Sequence, residues 1–200
     1  LPFGLAHRWL GRLDASIVYL GDFAGNGSFV SGIMSLGDNR DATVSALRQR
    51  IADLGATRTV CIGADKAGYA AVLYAAELDS DAAVSLGGPA SLSAGKVGDA
   101  SHRQRGPGLA EVLASTPNPP RVLVVSGDEN AEDRRQAQRL AGLPSVTVAL
   151  MDRFAGHEIA AELVCRGQID RTLDWLMKAT PAAAPDLGPL PAFPWRDVFA

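Results

Sequence analysis

The 200-residue chain contains only two cysteines, and their surroundings exclude most of the chemistry that cysteine supports. Cys61 and Cys165 lie in apolar segments, without CxxC spacing and without cysteine–histidine spacing. This pattern favours buried free thiols over a disulfide or a zinc site. Free thiols persist in a reducing compartment, so we expect a cytoplasmic protein.

The sequence also lacks a basic stripe and a long apolar run. Its 19 lysines and arginines are scattered among 22 acidic residues, for a net charge of −3, so no nucleic-acid partner is expected. No apolar run reaches the roughly 18 residues that span a bilayer, and the first residues, LPFGLAHRWLGRLD, do not resemble a signal peptide. No membrane partner is expected. The chain does not begin with Met, so we expect either a trimmed chain or a domain cut from a longer polypeptide.

The usual signatures of cofactor binding are missing as well. The stretch GGPASLSAGKV ends in Gly95 and Lys96 like a phosphate-binding loop. However, Val97 replaces the hydroxyl residue that would bind magnesium, and Ala90 replaces the first glycine. No GxGxxG follows the first apolar run, and no cluster of His, Cys and carboxylates has the spacing of metal ligands. We therefore predict no cofactor and no metal.

What the sequence does contain is an alternation of short apolar runs and helical patterns. The runs, which predict strands covered on both faces, are 16–20, 58–63, 82–86, 121–125 and 146–150. Continuous rather than alternating apolar strands are typical of a parallel sheet. The sequence thus predicts one α/β domain over residues 1–180, a three-layer sandwich with a mostly parallel sheet, followed by a Pro-rich tail over 181–200.

Helical periodicity is clearest in three places. Between the first two runs, apolar residues from Val44 to Leu54 recur behind the capping candidates Asn39 and Asp41. A weaker pattern lies around 137–141, and a long or broken helix is predicted over 159–176. The Gly/Ser/Arg-rich stretch 87–108 fits none of these patterns, and it is either a mobile flap over the strand ends or a plain surface loop.

Four apolar runs are followed directly by residues that carry chemistry. In CIGADKAGYAAVLYAAEL a strand turns through small residues into a helix, with Asp65 at the tip. The turn after 16–20 contains Asp22 and Phe23, GDENAED after 121–125 contains Asp128 and Asp133, and MDRFAGHEI after 146–150 contains His157. Because the carboxyl ends of parallel strands meet at one edge of the sheet, these residues are predicted to form a single site.

The chain order of tip residue, acid and histidine resembles the α/β-hydrolase family, over roughly residues 15 to 178. The nucleophile elbow of that family reads G-x-S-x-G, and here it places Gly63 and Ala67 at the glycines and Asp65 at the nucleophile. The closing segments look like those of small, capless, esterase-like members. The resemblance implies a catalytic set of Asp65, an acid and His157.

The acid has two candidates, because Asn130 occupies the commoner acid position. We favour Asp133, which begins a helix and is able to turn back toward the histidine, over Asp128. A carboxylate at that place is also typical of simple helix capping. Ser85, at the end of another predicted strand, is a remote alternative nucleophile.

Aspartate at the elbow changes the expected chemistry. A carboxylate is already ionised at neutral pH and attacks saturated carbon without a base, as in α/β-hydrolases that resemble epoxide hydrolases and dehalogenases. The backbone N–H of Lys66 and one from Asp22 or Phe23 are candidates for the oxyanion hole. The Lys66 side chain is either a plain solvated group or one that attracts an anionic substrate. Such dehalogenases and epoxide hydrolases bind the leaving group with Trp or Tyr of a cap domain, for which no segment here is long enough.

The resemblance therefore implies a hydrolase acting on a small ester-like or electrophilic substrate, of epoxide or halide type. The alternative is a catalytically inactive homologue that serves as a binding or assembly domain, since exchange of the elbow serine for aspartate is a familiar way to lose activity. A small molecule is the expected partner, and both a homo-oligomer and a larger parent polypeptide stay open.

Overall fold

The computed structural model describes residues 3–21, 29–30, 32–33, 35–92, 106–178 and 184–187. In these ranges the chain forms four strands, namely β1 (Val60–Ala64), β2 (Ala82–Leu86), β3 (Arg121–Gly127) and β4 (Val146–Met151). The same ranges contain seven helices, namely α1 (Phe3–Leu10), α2 (Arg40–Asp53), α3 (Lys66–Glu77), α4 (Leu109–Ser115), α5 (Ala131–Gln138), α6 (Ile159–Cys165) and α7 (Ile169–Met177).

All four strands are parallel and lie in the order β1-β2-β3-β4. This confirms the predicted α/β class and parallel sheet. In the register of the sheet Ala64 lies beside Leu86, and Leu86 lies beside Val125, so the strands end almost level with one another. The loops that follow β1, β2 and β3 therefore emerge side by side at one edge, where β4 also ends.

Helices cover both faces of the sheet. Along β2, Ala82, Val84 and Leu86 point into a core formed with α1, α6 and α7, whereas Ala83 points into a second core formed with α3, α4 and α5. Successive side chains of a strand face opposite sides, so a strand buried between two helical layers is mostly apolar on both faces. That requirement explains why β2 reads as an apolar run in which Ser85 is the one polar residue.

The prediction of a strand at 16–20 is wrong. These residues are described, but the structure places them outside the sheet. Ile17 and Tyr19 pack against the first core, while the side chain of Val18 is 50% exposed. An apolar run indicates that a segment is buried, but it does not show whether the segment pairs with a neighbouring strand, because pairing depends on backbone from elsewhere in the chain.

The helix predicted behind Asn39 is confirmed as α2. The Asn39 side chain accepts a hydrogen bond from the Ala42 N–H at 2.9 Å, so Asn39 rather than Asp41 is the N-cap. Val44 and Leu47 then pack on α3. Among the residues that the structure describes, no helix has both the length and the apolar character required to cross a membrane.

The long or broken C-terminal helix is broken into α6 and α7. Gly167 separates them with φ of 64°, a left-handed conformation that glycine adopts without strain. The Gln168 N–H closes the turn by donating to the Leu163 carbonyl at 2.8 Å. Both helices contribute buried residues to the first core.

Two predicted segments fall largely outside the described residues. Of the stretch 87–108, residues 93–105 are not described, so the flap prediction is not tested. Of the tail 181–200, residues 184–187 are described, and within them Leu187 is buried in the first core.

The turn between β1 and α3 depends on two glycines that hold the helix close to the sheet. A methyl group on Gly63 would overlap the carbonyl group of Ala67, and one on Gly68 would lie 2.7 Å from the Ser85 hydroxyl. The sequence pattern put Ala67 in the place of the second glycine. The structure shows that the position without room for a side chain is Gly68.

Replacement of Gly63 by alanine tests this close approach. We expect Gly63→Ala to lower the free energy of unfolding by about 1–3 kcal/mol, because the added methyl group must push α3 away from β1. Gly142→Ala is the matched control, since nothing lies within 4 Å of a methyl group there. Urea unfolding of both variants measures the effect, and equal stability of the two would contradict the packing described here.

Candidate active site

Asp65 occupies the tip of the turn in a strained backbone conformation. Its φ of 53° and ψ of −130° lie in a region that is almost restricted to glycine. The Asp65 N–H donates to the Leu86 carbonyl at 2.9 Å, and its carbonyl accepts from the Gly68 N–H at 2.8 Å. The side chain is 61% exposed. The backbone thus holds a carboxylate out into solvent at the carboxyl edge of the sheet.

The structure places Asp133, and not Asp128, against the histidine. Asn130 caps α5 by accepting hydrogen bonds from the N–H groups of Glu132 and Asp133. Asp133 lies in the first turn, where its side chain is only 8% exposed and contacts Nδ1 of His157 at 2.8 Å and 3.0 Å. A buried carboxylate on Nδ1 fixes the orientation of the imidazole ring.

Asp128 has a different role. Its carboxylate accepts a hydrogen bond from the Phe154 N–H at 3.1 Å, which holds the pKa of Asp128 below its ordinary value. The Asp128 N–H in turn donates to the Met151 carbonyl. Asp128 therefore fastens the loop after β4 to the loop after β3 and is engaged away from the imidazole.

His157 lies between two carboxylates. Its Nε2 is 3.1 Å from Oδ1 of Asp65, on the side of the ring opposite to Asp133. The contact with Asp133, and to a smaller degree the one with Asp65, raises the pKa of His157 above its ordinary value near 6.5, although burial acts in the other direction. At pH values below that raised pKa the ring is an imidazolium that bridges two anions.

Sequence reasoning missed the part that Asn130 plays in building the site. Besides capping α5, its Nδ2 donates to the Gly156 carbonyl at 3.3 Å, directly before His157. One side chain thus positions both the acid and the histidine. The available signal was an asparagine three residues before Asp133 at a helix start, which is the pattern of an N-cap.

The remaining predicted residues are only partly placed. Within the described part of the chain, the Lys66 N–H has no hydrogen-bond acceptor, as an oxyanion donor requires. The second donor, predicted at Asp22 or Phe23, lies outside the described residues. Ser85 is buried between β2 and α3, where its hydroxyl faces Gly68 and Gly88.

Glycine and alanine at position 65 should show an inverted order of stability. Alanine is ordinarily the more stabilising residue because glycine loses more backbone freedom on folding. Here the conformation opposes any Cβ, so we expect Asp65→Gly to be more stable than Asp65→Ala by about 1–2 kcal/mol. Neither variant carries a carboxylate, so loss of the histidine contact cancels. Thermal unfolding of the pair measures the difference, and the ordinary order would contradict a strained elbow.

The pKa of His157 should fall when either carboxylate is removed. We expect a larger decrease in Asp133→Asn than in Asp65→Asn, because the Asp133 hydrogen bond is the stronger cause of the shift. Asp152→Asn, which removes a carboxylate paired with Arg153, serves as the control. Titration of the imidazole by NMR gives all four values. A histidine pKa insensitive to Asp133→Asn would exclude the arrangement.

The same shift makes part of the stability depend on pH. A pKa that is higher in the folded than in the unfolded chain stabilises the fold fully below the unfolded value. We therefore expect the stability advantage of the native chain over His157→Gln to be greatest below pH 6.5 and to disappear as pH rises through the raised pKa. Urea unfolding at several pH values measures it, and an advantage that grows with pH would have the wrong sign.

Comparison with models of known protein families gives no match for this chain, and comparison with curated protein sequences gives none either.

Proposed function

We propose that the chain is a hydrolase built on the α/β-hydrolase plan, in which the Asp65 carboxylate is the nucleophile. Its substrate is a small ester-like or electrophilic molecule. Both cysteines are free thiols, which fits a protein that acts in the cytoplasm. The observation that carries the proposal is the line of contacts from buried Asp133 through His157 to exposed Asp65.

The placement of the three side chains supports a common task. Asp65 follows β1, Asp133 follows β3 in the first turn of α5, and His157 follows β4, so each comes after a different strand at one edge of the sheet. This arrangement has an energetic cost. Asp65 adopts a backbone conformation that is unfavourable by about 1–3 kcal/mol for a residue with a side chain. Strain of this kind is typical of positions that must present a reactive group.

The geometry accounts for two chemical steps. In the first, an oxygen of Asp65 forms a bond to a saturated carbon of the substrate, and the bond from that carbon to the leaving group breaks. In the second, neutral His157 takes a proton from water, and the resulting hydroxide attacks the carbonyl carbon of the Asp65 ester. The Lys66 N–H is placed to stabilise the oxyanion that forms there.

Isotopic labelling tests the nucleophile directly. In heavy-oxygen water a single turnover should place the label in the Asp65 carboxylate, because water attacks the enzyme ester and not the substrate. Mass spectrometry of the peptide that contains residue 65 detects both the label and a covalent adduct. If Asp65 were only a general base, the label would appear at once in the product.

Substitutions distinguish a nucleophilic Asp65 from a site that has lost its catalytic activity. Asp65→Asn should abolish the adduct, whereas Asp79→Asn should not, although Asp79 is also exposed and also has a positive φ of 54°. Asp65→Ser should give esterase activity, since His157 and the oxyanion donor remain in place. No adduct, no label and no activity in Asp65→Ser would together favour the inactive homologue that serves as a binding or assembly domain.

A further inference from the structure

The loop after β4 carries His157, and close packing around Phe154 fixes its path. A methyl group on Gly156, directly before the histidine, would lie 2.6 Å from the Phe154 ring. A methyl group on Gly127, the last residue of β3, would overlap the Phe154 carbonyl. Contacts as tight as these transmit any movement of Phe154 to the chain that leads into the histidine.

A guanidinium group from the end of α6 holds this loop. Arg166 is the C-cap of α6, and its Nη1 donates to the Asp152 carbonyl at 2.8 Å. The same guanidinium lies over the Phe154 ring, 5.8 Å from the ring centre, within the range of a cation–π contact. The loop is thus fastened at its first residue and again at Phe154, three residues before His157.

Glu162 sets the direction of the guanidinium. Nε of Arg166 donates to Oε1 of Glu162 at 2.6 Å, one helical turn earlier, and the two side chains are only 15% and 11% exposed. Removal of two charges from water has a cost that an apolar pair would not have. What the pair supplies is direction, because a planar group held at Nε by Glu162 presents Nη1 to the Asp152 carbonyl.

We infer that Arg166 is a positioning residue of the candidate site, which acts on His157 through the loop after β4. This loop has to bring the imidazole between two carboxylates, at 2.8 Å from Asp133 and 3.1 Å from Asp65. Hydrogen bonds of that length are lost when the groups move apart by about 1 Å. The inference stands on these contacts and not on the proposed reaction, so it goes beyond the question of which substrate the site accepts.

A direct electrostatic effect of Arg166 would have the opposite sign to a positioning effect. A cation near the ring disfavours the imidazolium, so removal of its charge alone would raise the pKa of His157. Loss of positioning lowers that pKa, because the contacts with Asp133 and Asp65 are what raise it. The direction of the change therefore separates the two effects.

The surroundings of the ring make this pKa a clean measure of its position. The charged groups that act on the ring are Asp65 from the β1–α3 turn and Asp133 from α5. Neighbouring Lys66 and Glu158 are exposed, and the segment after β2 meets the histidine backbone through uncharged Gly87. A change in the imidazole pKa thus reports on its contacts with those two carboxylates.

Two substitutions of Arg166 test the inference by NMR titration of His157 in the intact chain. Arg166→Met removes the charge and the contacts of the guanidinium, and we expect the pKa of His157 to fall toward its ordinary value near 6.5. Arg166→Lys keeps the charge, but an ammonium cannot replace the planar fork, so we expect a smaller decrease. The lysine variant decides the question if the methionine variant does not fold.

Hydrogen exchange of the Nδ1 proton gives a second measure. It should be about tenfold faster in Arg166→Met, because the contact with Asp133 opens more often. Arg171→Met is the matched control, since Arg171 also donates to a loop carbonyl, that of Asp186, but lies on α7. The inference is overturned if either Arg166 variant titrates at or above the native value, or if Arg171→Met lowers the pKa as much. Neither measurement needs turnover, so failure of the proposed reaction is a separate result.

Discussion

The candidate site depends on how closely α3 packs against β1 and β2. Gly63 and Gly68 leave no room for side chains, and this approach forces the chain between them through a conformation that ordinary residues avoid. The Asp65 carboxylate is thereby fixed to the rigid sheet rather than to a mobile loop. A contact of 3.1 Å with a histidine from a distant part of the sequence then needs little further ordering.

The histidine is held by a second set of constraints, which joins the loops after β3 and β4. Three side chains of the first loop and of α5 meet the second loop in order: Asp128 binds the Phe154 N–H, Asn130 binds the Gly156 carbonyl, and Asp133 binds the ring of His157. Each of these contacts alone contributes modestly to stability, by about 0.5–1.5 kcal/mol for an ordinary hydrogen bond. Together they leave the imidazole few positions other than the one between two carboxylates.

Much of this fold was predictable because the signals are local. Four of the five apolar runs are strands, and Asn39 caps a helix as its position indicated. The run at 16–20 was misassigned because strand pairing depends on distant backbone. At the site, the sequence identifies the chain order of Asp65, Asp133 and His157. It does not reveal that Asn130 holds two loops or how closely His157 approaches each carboxylate, since side-chain distances between loops are set only by the packed structure.

The backbone at position 65 is shaped by its glycine neighbours and by the Leu86 carbonyl, and not by the carboxylate that it carries. Conformation and chemistry are therefore encoded at separate positions. The side chain at residue 65 can therefore be exchanged without disturbing the packing of α3, whereas a side chain at position 63 or 68 would displace the helix. A substitution at residue 65 thus changes the chemistry presented at the edge of the sheet while it leaves the contact between α3 and β1 in place.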